Sequence, residues 1–364
     1  MRIISNLLLM FTLIGFIDCN NQKEKINIET EVFRHKETQK LNEVLKKYEV
    51  LSQKFKVSAT KSTIIKGKNG TTIFINPDDL EIENGNPLDT NIEVELKELL
   101  NQGQLLKNNA QTVSGGKLLV SGGAYYINIT SEGQQLKLKE GKTLSVEFSK
   151  ITDNEMSLFY GQRDSLGKIN WQKSETKFVS SNIEVAKAKP ALPAPNPTQP
   201  MPVNSVQSIL ANSFAEEKEH LSSEEIKKID EINDKNSVIA LQVYETVKLK
   251  QLGWINCDRF LEIINKTNLQ FEFNSKDSIV VANVYLIFKD INSVMESSYF
   301  SFKGKTFNSS FDGIPVDSKV KLIAFSEKNG KLFSHSSELT ITQNQKFKFV
   351  LRETTEKEFD KIFE

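Results

Sequence analysis

The side chains best able to do chemistry in this chain are two cysteines, Cys19 and Cys257, and three histidines, His35, His220 and His335. No histidine lies near another or near Cys257 in sequence, so the spacings zinc requires, HExxH or paired CxxC, do not occur. His335, in FSHSS, reads as a structural residue on a strand or its edge. A hydrolase serine would sit in GxSxG and a nucleotide phosphate in GxxxxGK, and neither motif occurs. Ser114-Gly115-Gly116 and Ser121-Gly122-Gly123 could cradle a phosphate only at the start of a helix; without one they predict a hairpin turn and a bulge. The acidic group Asp78, Asp79, Glu81, Glu83 and Asp89 lacks the Asp-x-Asp-x-Asp-Gly order of a calcium loop and predicts a solvated hairpin. Cys257 stands in GWINCDRF among Trp254, Ile255 and Phe260, which predicts a buried small hydrophobe in a core-and-turn element, with Asp258 and Arg259 paired across the turn. The residues therefore predict no catalytic group, no cofactor and no metal site: not an enzyme.

The elements that must position these residues start at the N-terminus. After Met1-Arg2, Leu7 to Ile17 is an uncharged apolar run of about eleven residues, too short to span a membrane as a helix and of the length of a signal-peptide core. It ends just before Cys19 and so resembles a bacterial lipoprotein signal, although Phe16 and Asp18 stand where the usual pattern has Leu and a small residue. Looser forms occur in Bacteroidota-type lipoproteins. The resemblance implies a signal peptide over 1–18, acylation of Cys19 and attachment to a membrane through that lipid. It also leaves Cys257 without a disulfide partner. Residues 19–55 then read as a tether and an amphipathic helix, with Leu41, Val44, Leu45, Tyr48, Leu51 and Phe55 on one face.

The remaining length, within 364 residues, suits two domains. Lys plus Arg and Asp plus Glu are both 47, and this zero net charge removes the electrostatic basis for nucleic-acid binding. Short β-branched runs fill 56–185: Ile64-Ile65, Thr71 to Ile75, Ile92 to Leu96, Leu118 to Val120, Ala124 to Ile129 and Leu144 to Phe148. Asn69-Gly70 and Asn84-Gly85-Asn86 supply the turn residues hairpins need. Six of the nine prolines fall between Lys189 and Pro202, so 186–205 reads as a Pro-rich linker. A helical segment over 206–236 follows, with Ser222 and Glu225 spaced as a capping box. Strand runs return over 237–364, at Val238 to Val247, Ile279 to Phe288, Lys319 to Phe325, Leu339 to Ile341 and Lys346 to Leu351, with Asn329-Gly330 as a hairpin. The expected fold class is mainly β: two antiparallel β-sandwich-like domains, short accessory helices and the Pro-rich linker.

Gly67 to Leu99, Gly115 to Leu138 and Gly141 to Ser149 together resemble the β-domain of Bacteroidota envelope proteins, and more distantly the ZU-type β-domain of ankyrins and netrin receptors. Met156 to Lys173, with Gly161 and Gly167 at turns, continues that block, and GWINCDRF is similar to the same family. Asp164-Ser165-Leu166 and Asp277-Ser278-Ile279 are similar to the short O-glycosylation signal of Bacteroidota. The resemblance implies a cell-envelope lipoprotein, periplasmic or surface-facing, acting without catalysis as a binding or scaffold module for a protein or glycan partner. A second reading is a surface glycan-binding or glycan-processing lipoprotein, in which Trp171, Trp254 and Tyr125-Tyr126 would stack on sugar rings. A third is self-cleavage at Phe148-Ser149, as in some death-domain relatives, but those use a nearby histidine and here none lies within seventy residues.

Overall fold

The computed structural model describes residues 28–82, 88, 91–178, 246–274, 279–302, 305–307 and 310–363. The expected signal peptide 1–18, Cys19, the expected Pro-rich linker 186–205 and the expected helix 206–236 lie outside the described residues, as do Glu83, Asp89 and Ser278.

The protein is mainly β, its sheets stacked as two sandwich-like units. In the first, the larger sheet runs in the order Gln53–Ser58, Asn91–Leu99, Lys117–Ser131, Gly253–Phe260, Ser157–Arg163 and Ile169–Lys173. Facing it is a sheet in the order Val247–Leu249, Leu144–Glu147, Thr72–Ile75 and Thr63–Lys66. The alternation in NIEVELKEL turns Ile92, Val94 and Leu96 inward to meet Ile73, Val146 and Phe148 from the facing sheet. In the second unit a six-stranded sheet, Lys305–Phe307, Val294–Phe302, Val281–Phe288, Lys319–Lys328, Lys331–Thr340 and Arg352–Thr354, covers Ser310–Pro315, Lys266–Asn274 and Lys346–Val350. Its pairs are antiparallel except Lys266–Asn274 with Lys346–Val350, which run parallel.

The central strands of the two large sheets are apolar on both faces, because there the outer faces of the sheets close on each other. Along Val281–Phe288, Ala282, Val284, Leu286 and Phe288 enter the second core, while Val281, Tyr285 and Ile287 face the first sandwich. Along Gly253–Phe260, Ile255 and Cys257 enter the first core, while Trp254 and Phe260 face the second sandwich. Such strands read as nearly continuous hydrophobic runs because neither face meets water.

Five expectations change. The division between 56–185 and 237–364 is crossed: Val247–Leu249 and Gly253–Phe260 belong to the sheets of the first sandwich. GWINCDRF is thus a central strand, not a turn, and Asp258 and Arg259 point to opposite faces of it, with Asp258 bonded to Asn256 and Ser121 rather than paired with Arg259. The N-terminal helix covers 28–46 and does not reach Phe55, which lies in Gln53–Ser58; that strand's six-residue register with Asn91–Leu99 claims the backbone, and Leu51 is left 89% exposed. Gly161 sits inside Ser157–Arg163, paired on both sides and not at a turn, and is glycine because a Cβ there would meet Trp171 at 2.6 Å. Leu118–Val120 and Ala124–Ile129 join into one strand, kinked at Gly122-Gly123, where the register against Asn256–Asp258 shifts and Gly123 takes a φ of +120°. The Asn329-Gly330 turn forms as expected, both residues at positive φ between paired Lys328 and Lys331.

Candidate functional site

The outer faces of the two sandwiches meet along a seam, and hydrogen bonds lock its register. Thr112 N donates to Val294 O at 2.7 Å and Ser121 N to Asn292 O at 2.9 Å. Asn292 Nδ2 returns a bond to Ser121 O at 3.0 Å, and Gln102 Nε2 reaches Ile291 O at 2.6 Å. Gln102 opens the short helix Gln102–Lys107, which Asn101 and Gln104 cap reciprocally, so the side chain that bridges the seam is held by its own helix start.

Helix 28–46 lies in the valley beside this seam, anchored by Leu41 and Leu45. Each flank leaves an opening. On the side of the second sandwich is a groove of about 500 Å³, walled by Lys40 and Glu43 of the helix and Lys47 just beyond it, by the hairpin Glu327 to Leu332, and by Glu353, Thr354 and Glu356. Val44, Tyr48 and Leu332 supply its apolar lining, and both charge signs stand around it. The Lys331 ammonium lies 2.9 Å from Glu353. Tyr48 stacks on Phe363 at 4.7 Å, and burial with a hydrogen bond to Asp360 pushes its hydroxyl up to about 12, so it stays neutral.

On the other flank is a cleft of about 160 Å³ between Asn42 and Glu49 of the helix region and Asn108, Arg163 and Gly167. Asn42 Nδ2 donates to Leu166 O at 2.9 Å, and residue 167 is glycine because the turn sets its φ at +85°. Arg163 donates to the carbonyls of Asn108, Asn109 and Gly167 and sets its guanidinium 4.8 Å from the Trp254 ring. Trp254 in turn lies 5.2 Å from Tyr126, its partner across the strand pair.

These positions decide what the residues singled out by sequence can do. Trp171 is 1% exposed and donates its indole N–H to Gln111 O at 2.6 Å, and Tyr125 is fully buried against Phe148, so neither offers a face to a sugar ring. Trp254 and Tyr126 are half-buried and adjacent. Phe148 is fully buried; the Ser149 hydroxyl donates to Asn69 O, and its carbonyl accepts from the Tyr125 hydroxyl at 3.2 Å. Cys257 is buried in the first core, where desolvation raises its thiol well above its ordinary value and suppresses the nucleophilic thiolate. Asp79 pairs with Lys142 at 2.9 Å, which holds its carboxyl below the usual range, and Glu81 pairs with Lys137 at 3.3 Å. Among the described residues no group of three or more His, Cys, Asp or Glu side chains could hold a metal ion. His335 lies on Lys331–Thr340, stacked on Phe349 at 4.9 Å. Ser165 is exposed in the turn held by Asp164 Oδ1, which accepts from the backbone N–H of Leu166 and Lys168.

Sequence reasoning missed Glu98, Arg163 and Glu296. Glu98, 2% exposed, accepts from Gln53 Nε2 and from the backbone N–H of Asn69 and Thr71, so it organises the hairpin turn between Thr63–Lys66 and Thr72–Ile75. A carboxylate in a strand that otherwise alternates gives no local sign of this, because its partners lie about thirty residues or more away. Set against protein-family models, curated proteins and solved structures, the chain matches none.

Proposed function

We propose that this protein is a non-catalytic lipoprotein of a bacterial cell envelope, anchored through Cys19, that binds or scaffolds a partner at the groove beside helix 28–46. The groove of about 500 Å³ is the observation that carries the binding half of this reading. Its walls are helix 28–46, held by the buried Leu41 and Leu45, and the edge of the second sandwich, and walls already packed in place leave a partner little to order. The apolar run before Cys19 supports the membrane half. Nine positions separate Cys19 from Ile28, a reach of at most about 30 Å, which would keep the helix and its groove close to the bilayer. Mixed charge around the groove fits a protein surface or peptide carrying both signs better than a polyanion.

A surface glycan-binding lipoprotein is the second reading, supported by the adjacent, half-buried Trp254 and Tyr126. Two tests separate these claims. A fatty-acid analogue fed to producing cells should label the wild type and leave Cys19→Ser unlabelled; equal labelling removes the anchor. Photo-crosslinkers at Lys47 and Lys331, on opposite walls of the groove, should capture one common partner that a crosslinker at Lys348 does not. Capture at a Tyr126 crosslinker alone would favour the glycan reading.

A further inference from the structure

The seam holds a half-buried glutamate for which the binding reading has no use. Glu296 stands on Val294–Phe302 of the second sandwich and faces the 108–112 segment and the 163–169 hairpin of the first. Its backbone N–H donates to Gln111 Oε1 at 3.3 Å, and its carbonyl accepts from Lys168 Nζ at 3.1 Å. The carboxyl is hydrogen-bonded to the Asn109 side chain, while Oε2 is shielded from solvent and has no partner. Asn109 Oδ1 also accepts from the Tyr285 hydroxyl at 2.8 Å, and Asn283 Nδ2 donates to that hydroxyl at 3.3 Å. One network therefore joins Asn283, Tyr285 and Glu296 of the second sandwich to Asn109 of the first.

The charged groups around Glu296 are Arg163, Asp164 and Lys168 from the hairpin, with Tyr285 beside it on the neighbouring strand and Glu49 acting on Arg163 from beyond helix 28–46. Both cations are committed elsewhere. Arg163 holds three backbone carbonyls and covers Trp254, and Lys168 is bonded to the carbonyl of Glu296, not its carboxylate. No ion pair within 4.0 Å joins either cation to the Glu296 carboxyl among the described residues.

We propose that Glu296 is a protonation switch in the seam: as a neutral acid it leaves the contact between the two sandwiches uncharged, and as a carboxylate it places there a charge without an ion-pair partner and loosens them. Burial raises the carboxyl to about 7, against the opposing pull of Lys168, Arg163 and Asn109. The proton is held more tightly in the folded protein than in the unfolded chain. The stabilisation is thus complete below the ordinary carboxyl value of 4.5 and is lost as pH rises through about 7. Weakly acid media favour the locked seam, and neutral to alkaline media the loosened one.

The test uses the full chain at matched ionic strength. Between pH 5.5 and 8 the wild-type melting temperature should fall by roughly 5 °C, and Glu296→Gln, neutral throughout, should lose most of that fall. The same fall in both proteins overturns the proposal. A second measurement on the wild type alone guards against a variant that does not fold. Hydrogen-exchange protection of the seam amides Thr112, Ser121 and Val294, corrected for intrinsic rate, should drop several-fold over that range while Ile127 in the first core keeps its protection. Unchanged protection at the seam, or an equal drop at Ile127, overturns it. Neither readout depends on Cys19 or on the groove, so its failure is distinguishable from failure of the binding reading.

Discussion

The core of the first sandwich and the seam between the sandwiches are both dry and aromatic-rich, yet they are built by different rules. The core is almost wholly aliphatic and aromatic, with Cys257 as a small apolar filler and Glu98 at its margin. The seam packs Leu41, Phe159, Trp171 and Phe325 just as tightly, but it also carries Gln111, Thr112, Asp258 and Glu296, whose hydrogen bonds have only a few workable arrangements. A sandwich core takes its register from the strand ladders and from the two-residue alternation that turns one set of side chains inward. Two finished sheets meeting face to face need a registry device, and directional polar bonds supply it where apolar packing cannot.

Three substitutions sharpen that contrast. The largest effect is expected for Trp171→Ala in the seam, which removes a fully buried ring and leaves Gln111 O without its donor. Such truncations cost about 3 to 5 kcal/mol. Denaturant unfolding should show the loss, and a cost under about 1 kcal/mol would mean that the seam is not a cohesive interface. Next is Glu98→Ala, which strips the Asn69 and Thr71 amides of their acceptor at the edge of the core; about 1 to 3 kcal/mol is expected by the same measurement. Stability within a few tenths of wild type would show that water replaces the carboxylate. The smallest effect is expected for Cys257→Ala, about 1 kcal/mol, because the thiol is only packed. The native thiol should resist a thiol reagent until the protein is unfolded, and rapid native labelling would contradict its burial.

Elements were more legible than their partners. The alternation in NIEVELKEL and the Asn-Gly turns announced strands and hairpins that the fold contains, because side-chain period and turn chemistry act over a few residues. GWINCDRF was legible as apolar on two sides and was still assigned to the wrong sandwich, since nothing within eight residues says which strands will flank it. The aromatics were visible, but whether they face solvent was not: Trp171 fills the space opposite Gly161, while Trp254 lies half-open under Arg163.

By itself the sequence determined the mainly β class, the hairpins at Asn69-Gly70 and Asn329-Gly330, the balanced charge and the apolar run ahead of Cys19, all properties of local composition and spacing. Tertiary structure alone decided that a strand beyond the Pro-rich segment completes the first sandwich, that helix 28–46 leaves a groove beside the seam, and that Oε2 of Glu296 is shielded from solvent. The environment of Glu296 is assembled from residues 109, 111, 163, 168 and 285, far from it in sequence or on neighbouring strands. Desolvation is a property of what surrounds a group in space, so no stretch of chain around Glu296 could have announced it.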